Sequence, residues 1–148
     1  MRRARCGLVM LAIAVSAAQP AMAAPAETEA ALDAINKARA GAGLRPLALS
    51  PALTRSSAAF AGRIMRTGVF AHAGTIHAAG GFKRLGECIA MHSGRAAQPG
   101  RTVRRWLASP GHRPLLLSRG FRQAGAAAVQ GRFNGRRSTV WVLQLGAR

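Results

Sequence analysis

The C-terminal end of the chain restricts its fold more than any other segment. Two runs, Gln123 to Phe133 and Ser138 to Leu145, flank Asn134-Gly135, the dipeptide that best accepts the two positive φ angles of a type I′ hairpin turn. The runs are therefore expected to pair antiparallel. Within the second, Val140, Trp141, Val142, Leu143 and Leu145 are almost continuously apolar, where a strand with one wet face would alternate. A strand that is apolar on both sides needs a covering layer on each, so a sheet held between helical layers is the simplest arrangement.

Upstream, the spacing of apolar residues predicts the helices that could supply those layers. From about Ala26, residues Ala31, Leu32, Ile35 and Ala38 share one face, and Glu27, Glu29 and Asp33 lie in the early turns, where the helix dipole favours negative charge. Gly41 and Gly43 stop that helix. Ser50-Pro51, a capping hydroxyl followed by proline at the first helical position, begins a second helix that runs to about Thr67, with Leu53, Phe60 and Ile64 on one stripe. A third covers Arg101 to Ala108, with Val103, Trp106 and Leu107 facing one way and Arg101, Arg104 and Arg105 more outward; Pro110 closes it at Ser109. Val69 to Gly100 reads as irregular, rich in Gly and Ala, and carries His72, His77 and His92; inside it, Leu85 to Met91 is an apolar run that could be a strand. His77 and His92 are expected in solvent-exposed loops, and Trp106 and Trp141 in the core.

The opening residues concern export. Arg2, Arg3 and Arg5 precede a largely apolar run from Cys6 to Ala18, and Ala21-Met22-Ala23 is a small-residue cleavage site, the pattern of a secretory leader over residues 1–23. The run is shorter than the roughly 20 residues a spanning helix needs, and no later stretch is long enough. Residues 24–148 are accordingly expected to be one exported, soluble, monomeric domain, periplasmic or extracellular. Losing Cys6 with the leader leaves Cys88 alone, so no intramolecular disulfide can form, and Cys88 reads as a small buried apolar side chain. Lys and Arg number 22 against four acids, a net charge of +18. Nearly all of it is Arg, which binds phosphate and carboxylate in pairs of hydrogen bonds, so anionic envelope polymers and lipids are candidate counter-surfaces. A solvated surface with a coding bias toward Arg, Ala and Gly accounts for the same composition, and no motif points to a specific nucleic acid.

Three polar features can be joined into a site: Phe70-Ala71-His72 after the second helix, Gly86-Glu87-Cys88-Ile89 in the apolar run, and Trp106 with Ser109-Pro110-Gly111-His112-Arg113 at the end of the third helix. With Ile35-Asn36-Lys37-Ala38-Arg39 and Gly43-Leu44-Arg45-Pro46-Leu47 near the start, these pieces resemble the CAP, or SCP-like, superfamily in its bacterial branch, in the family's order from about Leu32 to Gly146. The resemblance implies an α+β fold, a three-layer α-β-α sandwich with a small antiparallel sheet. It also implies a cleft where two histidines and two acids meet, able in some members to hold a divalent metal, zinc above all.

Carried over position by position, His72 and His112 match the two histidines and Glu87 the first acid. Ser109 stands where the second acid would be, and Cys88 where an Asn usually follows the first. The implied ligand cleft is therefore His72, Glu87, Ser109 and His112, with His72, Glu87 and His112 as the metal-ligating set. Such a set offers three zinc ligands but leaves no acid as general base for a bound water. That favours a non-enzymatic domain holding a metal, lipid or small ligand over a metal-dependent hydrolase. Of the nucleophilic alternatives, Cys88 with His72 or His112 is a thiol pair that needs the two side chains to be close, and Ser109 with His112 lacks an obvious orienting acid other than Glu87. Glu87 could equally be a buried partner of Arg113 or of a histidine.

Overall fold

Asn134 and Gly135 take φ angles of 48° and 81°, the pair of left-handed conformations a type I′ turn needs. They close strand β4, Gln123–Phe133, onto β5, Arg136–Ala147, in a ladder from Phe133 opposite Arg136 to Gln123 opposite Gly146. The other side of β5 pairs antiparallel with β3, Arg84–Ser93. Two short strands reach the far side of β4: β1, Ala21–Met22, opposite Val129 and Gln130, and β2, Ala48–Leu49, running parallel opposite Gln123 and Ala124. The order β1-β4-β5-β3 leaves β3 at an edge. This computed structural model describes residues 21–22 and 25–148; the rest of the leader read over residues 1–23 lies outside the described residues.

Strand alternation divides the core in two. Trp141, Leu143 and Leu145 of β5, Ala124, Ala126 and Ala128 of β4 and Cys88 of β3 pack with helices α1 (Pro25–Gly41), α3 (Pro99–Ala108) and α4 (Arg113–Leu116). The intervening Val140 and Val142 of β5, Val129 of β4 and Ile89 of β3 pack with Ala61, Ile64 and Met65 of α2, Pro51–Thr67. Both faces of β5 are covered, and the architecture is the expected α+β sandwich of helices, sheet and helix.

Helix α2 lies closest to the sheet at Gly125, where a Cβ would run into the Thr54 amide nitrogen and come within 2.5 Å of the Leu53 carbonyl carbon. The Ser57 hydroxyl donates to the Gly125 carbonyl at 2.9 Å. Its first turn is set as the sequence indicates: Ser50 Oγ accepts from the Leu53 amide at 3.4 Å, with Pro51 as first helical residue.

Several expectations are corrected. His92 is not an exposed loop residue. The third strand continues through it, it is buried, and its Nε2 lies 2.6 Å from Thr102 Oγ1 of α3. Residues 69–100 are thus only partly irregular, because a ten-residue strand and the start of α3 at Pro99 fall inside them. The second hairpin strand is longer than Ser138 to Leu145, and the short α4, β1 and β2 are elements that the residue pattern does not predict. No helix among the described residues is long and apolar enough to cross a membrane.

Candidate functional site: an imidazole pair beside an edge groove

The same alternation that sends Cys88 to the α1 side turns Glu87 toward the α2 side, opposite Gln144 of β5. Both oxygens of Glu87 accept from local partners. Its Oε1 lies 3.0 Å from His72 Nδ1 and accepts the Ala73 backbone amide at 3.0 Å, while Oε2 accepts from Gln144 Nε2 at 3.3 Å. With its proton on Nδ1, the neutral His72 ring keeps an Nε2 lone pair for other use, the arrangement by which a carboxylate orients an imidazole. The His72 side chain is 53% exposed and that of Glu87 4%. The acid is therefore a buried support and the ring faces outward.

His112 sits just before α4, its ring centre 5.8 Å from that of His72 with the planes tilted by 50°. Burial, and then the neighbouring His72, hold its pKa below the usual 6.5. Beside His112 a groove of about 340 Å³ at the edge strand is lined by the apolar Phe70, Ile89, Ala90, Met91 and Trp106 and by Arg105, Ser109 and His112. Trp106 Nε1 donates to the Ile89 carbonyl at 3.0 Å, which ties α3 to that edge. A second hollow of about 210 Å³ is lined by Phe60, Arg63, Thr67, Val69 and His72 among others.

Of the four cleft residues, then, His72, Glu87 and His112 are brought together, and Ser109 joins His112 in the groove. Glu87 pairs with His72; Arg113 donates instead to the Leu107 carbonyl at 3.3 Å. Cys88 is fully buried in the opposite half of the core, and burial, followed by the Glu87 charge, pushes its thiol up to about 12. Such a thiol supplies no thiolate nucleophile. Two groups that sequence reading missed matter here. Gln144 anchors Glu87, and the one signal for it was a lone amide inside an apolar run; its Oε1 is a buried atom without a hydrogen-bond partner among the described residues. Arg105, read only as outward-facing, borders the groove.

The donor set can be tested against zinc. Among the described residues no three His, Cys, Asp or Glu side chains are grouped to hold a metal ion, and the Glu87 oxygens accept from His72, Ala73 and Gln144. Two imidazoles remain, one short of the three protein ligands of a catalytic zinc. The other acids, Glu27, Glu29 and Asp33, all lie on α1. A hydrolytic zinc centre does not fit these residues.

His92 is also held below 6.5, by burial and then by Arg105 and Arg101. For both rings the unfolded chain takes up a proton before the folded one, so stability is full above 6.5 and is lost as pH falls from there toward the depressed values. A melting-temperature series from about pH 8 to about pH 5 is expected to turn downward below 6.5, and His92→Gln to flatten the turn. A series without that downturn would contradict the assignment.

Comparison with known proteins agrees with the fold. The sequence model of CAP, the cysteine-rich secretory protein family, matches residues 32–145. No curated protein sequence matches the chain. Among solved structures, an outer surface protein from Borrelia burgdorferi superposes with a TM-score of 0.71 at 17% identity, covering 84% of this chain and 94% of that one. An extracellular protein containing an SCP domain from Bacillus anthracis gives 0.65 at 20% identity over 83% of this chain and 41% of that one. A cysteine-rich secretory protein from Staphylococcus aureus gives 0.53 at 17% identity, over 84% and 39%. With most of its length matched by the family's sequence pattern and its sheet and helices superposing on such domains, the chain belongs to the CAP family of cysteine-rich secretory proteins.

Proposed function

We propose that this is an exported, non-enzymatic CAP domain whose groove takes a small apolar ligand with an anionic end. The carrying observation is the groove of about 340 Å³, apolar along Phe70, Ile89, Met91 and Trp106, with a guanidinium, a hydroxyl and an imidazole at its border. An apolar pocket with a few convergent polar groups is the usual form of a small-molecule site. Arg105 supplies the charge, and Ser109 and His112 the hydrogen bonds. His72 holds its ring beside the border through Glu87, so the acid serves orientation and not proton transfer. A divalent ion here would have His72 and His112 as protein ligands and would need the bound ligand or solvent for the rest. Export is supported by the leader pattern and by the outer-surface and extracellular settings named for two structural relatives. Cleavage after Ala23 would remove β1 and leave Val129 and Gln130 without that partner.

Dodecanoate is a suitable probe, because Trp106 lines the groove and its fluorescence reports occupancy. The expected result is a saturable change whose affinity drops about tenfold, roughly 1.4 kcal/mol, in Arg105→Gln and in His112→Ala, and is indifferent to a zinc chelator. An unsaturable response, or equal affinity in both variants, would sink the reading. Zinc-dependent ester turnover abolished by His72→Ala would establish the hydrolase instead.

A further inference from the structure

Arg39, in the last turn of α1, is 1% exposed yet has no carboxylate within ion-pair reach among the described residues. Its Nε donates to the Arg45 carbonyl at 2.9 Å, and its Nη1 to the carbonyls of Leu116 and Ser118 at 2.7 and 3.0 Å. Those bonds join α1 to the end of α4 and leave the charge uncompensated, since carbonyl dipoles satisfy donors without neutralising a cation. Around it, Arg39, Arg45, Arg119 and Arg122 line one hollow of about 180 Å³. Four like charges on one concavity repel one another and concentrate positive potential inside it.

The surrounding backbone is fixed. Leu44 N donates to the Arg39 carbonyl at 2.9 Å and Gly43 N to that of Ala40 at 3.0 Å, so the carbonyls that end α1 are used by the turn that carries Arg45. Arg122 is held by backbone bonds from its amide to Gly146 and from Ala48 to its carbonyl, and its Nη1 donates to the Arg119 carbonyl at 2.8 Å. Desolvation, and then the neighbouring Arg122 charge, lowers the Arg39 pKa.

We infer that this hollow is an oxyanion site for a phosphate group, with Arg39 as its buried base and Arg45, Arg119 and Arg122 as its arms. Guanidinium offers the planar paired donors that match phosphate oxygens, and an anion of that kind removes the repulsion among the four cations. The site shares no residue with the imidazole cleft and does not rest on the ligand proposed there.

The test is titration of the purified exported protein with inorganic phosphate at constant ionic strength, followed by backbone amide NMR. Saturable shifts confined to residues 43–45 and 116–122 are expected, weakened about tenfold in Arg45→Gln and in Arg122→Gln and unchanged in His72→Ala. Both arginine variants replace exposed side chains, so the fold remains a fair reference. Vesicles of phosphatidylcholine with and without phosphatidic acid separate the sources: binding that requires the acidic lipid and Arg122 assigns a lipid headgroup, and phosphate binding without vesicle binding assigns a soluble phosphoester. Shifts spread over all arginines, linear in phosphate and equal in the Arg45→Gln/Arg122→Gln double variant, would overturn the site.

Discussion

Gly125→Ala is expected to destabilise the protein by about 4 kcal/mol or more, enough to leave little folded material. One methyl group is added, but it would occupy the position of the Thr54 amide nitrogen and crowd the Leu53 carbonyl carbon. Backbone atoms inside a helix cannot rotate away as a side-chain tip can, so α2 must lift from the sheet. Lifting it opens the Ala61, Ile64 and Met65 contacts with Val129, Val140 and Val142 and breaks the Ser57 bond to the Gly125 carbonyl. Gly62→Ala in the same helix is the control. Its Cβ would meet only the end of the Arg66 side chain, at 3.3 Å, so the gain in helix propensity should leave stability equal or raised by about 0.5–1 kcal/mol. Soluble yield and thermal melting by circular dichroism decide between them; a Gly125→Ala protein melting like the parent would show that α2 does not rest on the sheet there.

The second large effect is expected at Trp141→Ala, which should cost about 3–5 kcal/mol. Trp141 is fully buried at the centre of β5, a strand paired along both edges, and packs against the α1 and α3 side. Its Nε1 also donates to the Ala97 carbonyl at 2.6 Å, which fixes the approach to α3. Truncation leaves a cavity and an unpaired buried carbonyl together. Because α3 brings Arg105, Trp106 and Ser109 to the groove, dodecanoate affinity should fall as well. Urea unfolding measures the first loss through a lower midpoint at unchanged slope. Trp141→Phe should recover much of the packing but not the bond, and a midpoint shift under about 1 kcal/mol for the alanine variant would contradict this account.

What could be read without coordinates was what is decided locally. The Asn134-Gly135 turn needs two positive φ angles and little else, and Ser50-Pro51 sets its own helix start, so both appear where the residues put them. Elements too short for a period could not be seen: β1 and β2 have two residues each and α4 has four. His92 was misjudged because the glycines around it suggest a loop, whereas pairing across Met91 to Ser93 with Val140 to Ser138 continues the strand. The site was legible only in part. Its imidazoles and acid came from the likeness to a family, but nothing along the chain says that Glu87 turns toward Gln144 or that Phe70 and Arg105 border one groove. Arg39 left a faint trace, since it continues the Ala31 and Ile35 stripe four residues on, and a cation on an apolar stripe must find acceptors inside.

The Glu87 carboxylate accepts from the His72 ring and from the Ala73 amide with the same oxygen, so one group orders both the segment entering β3 and the ring upon it. Fixing the backbone of a residue costs about 1–2 kcal/mol in lost conformational entropy, and here that loss is incurred during folding, before any ligand arrives. Through Gln144 the ordering extends to β5. The exposed ring is thereby tied to the β-sheet as well as to the loop that carries it, the preorganisation that a ligand site of the kind proposed above would use.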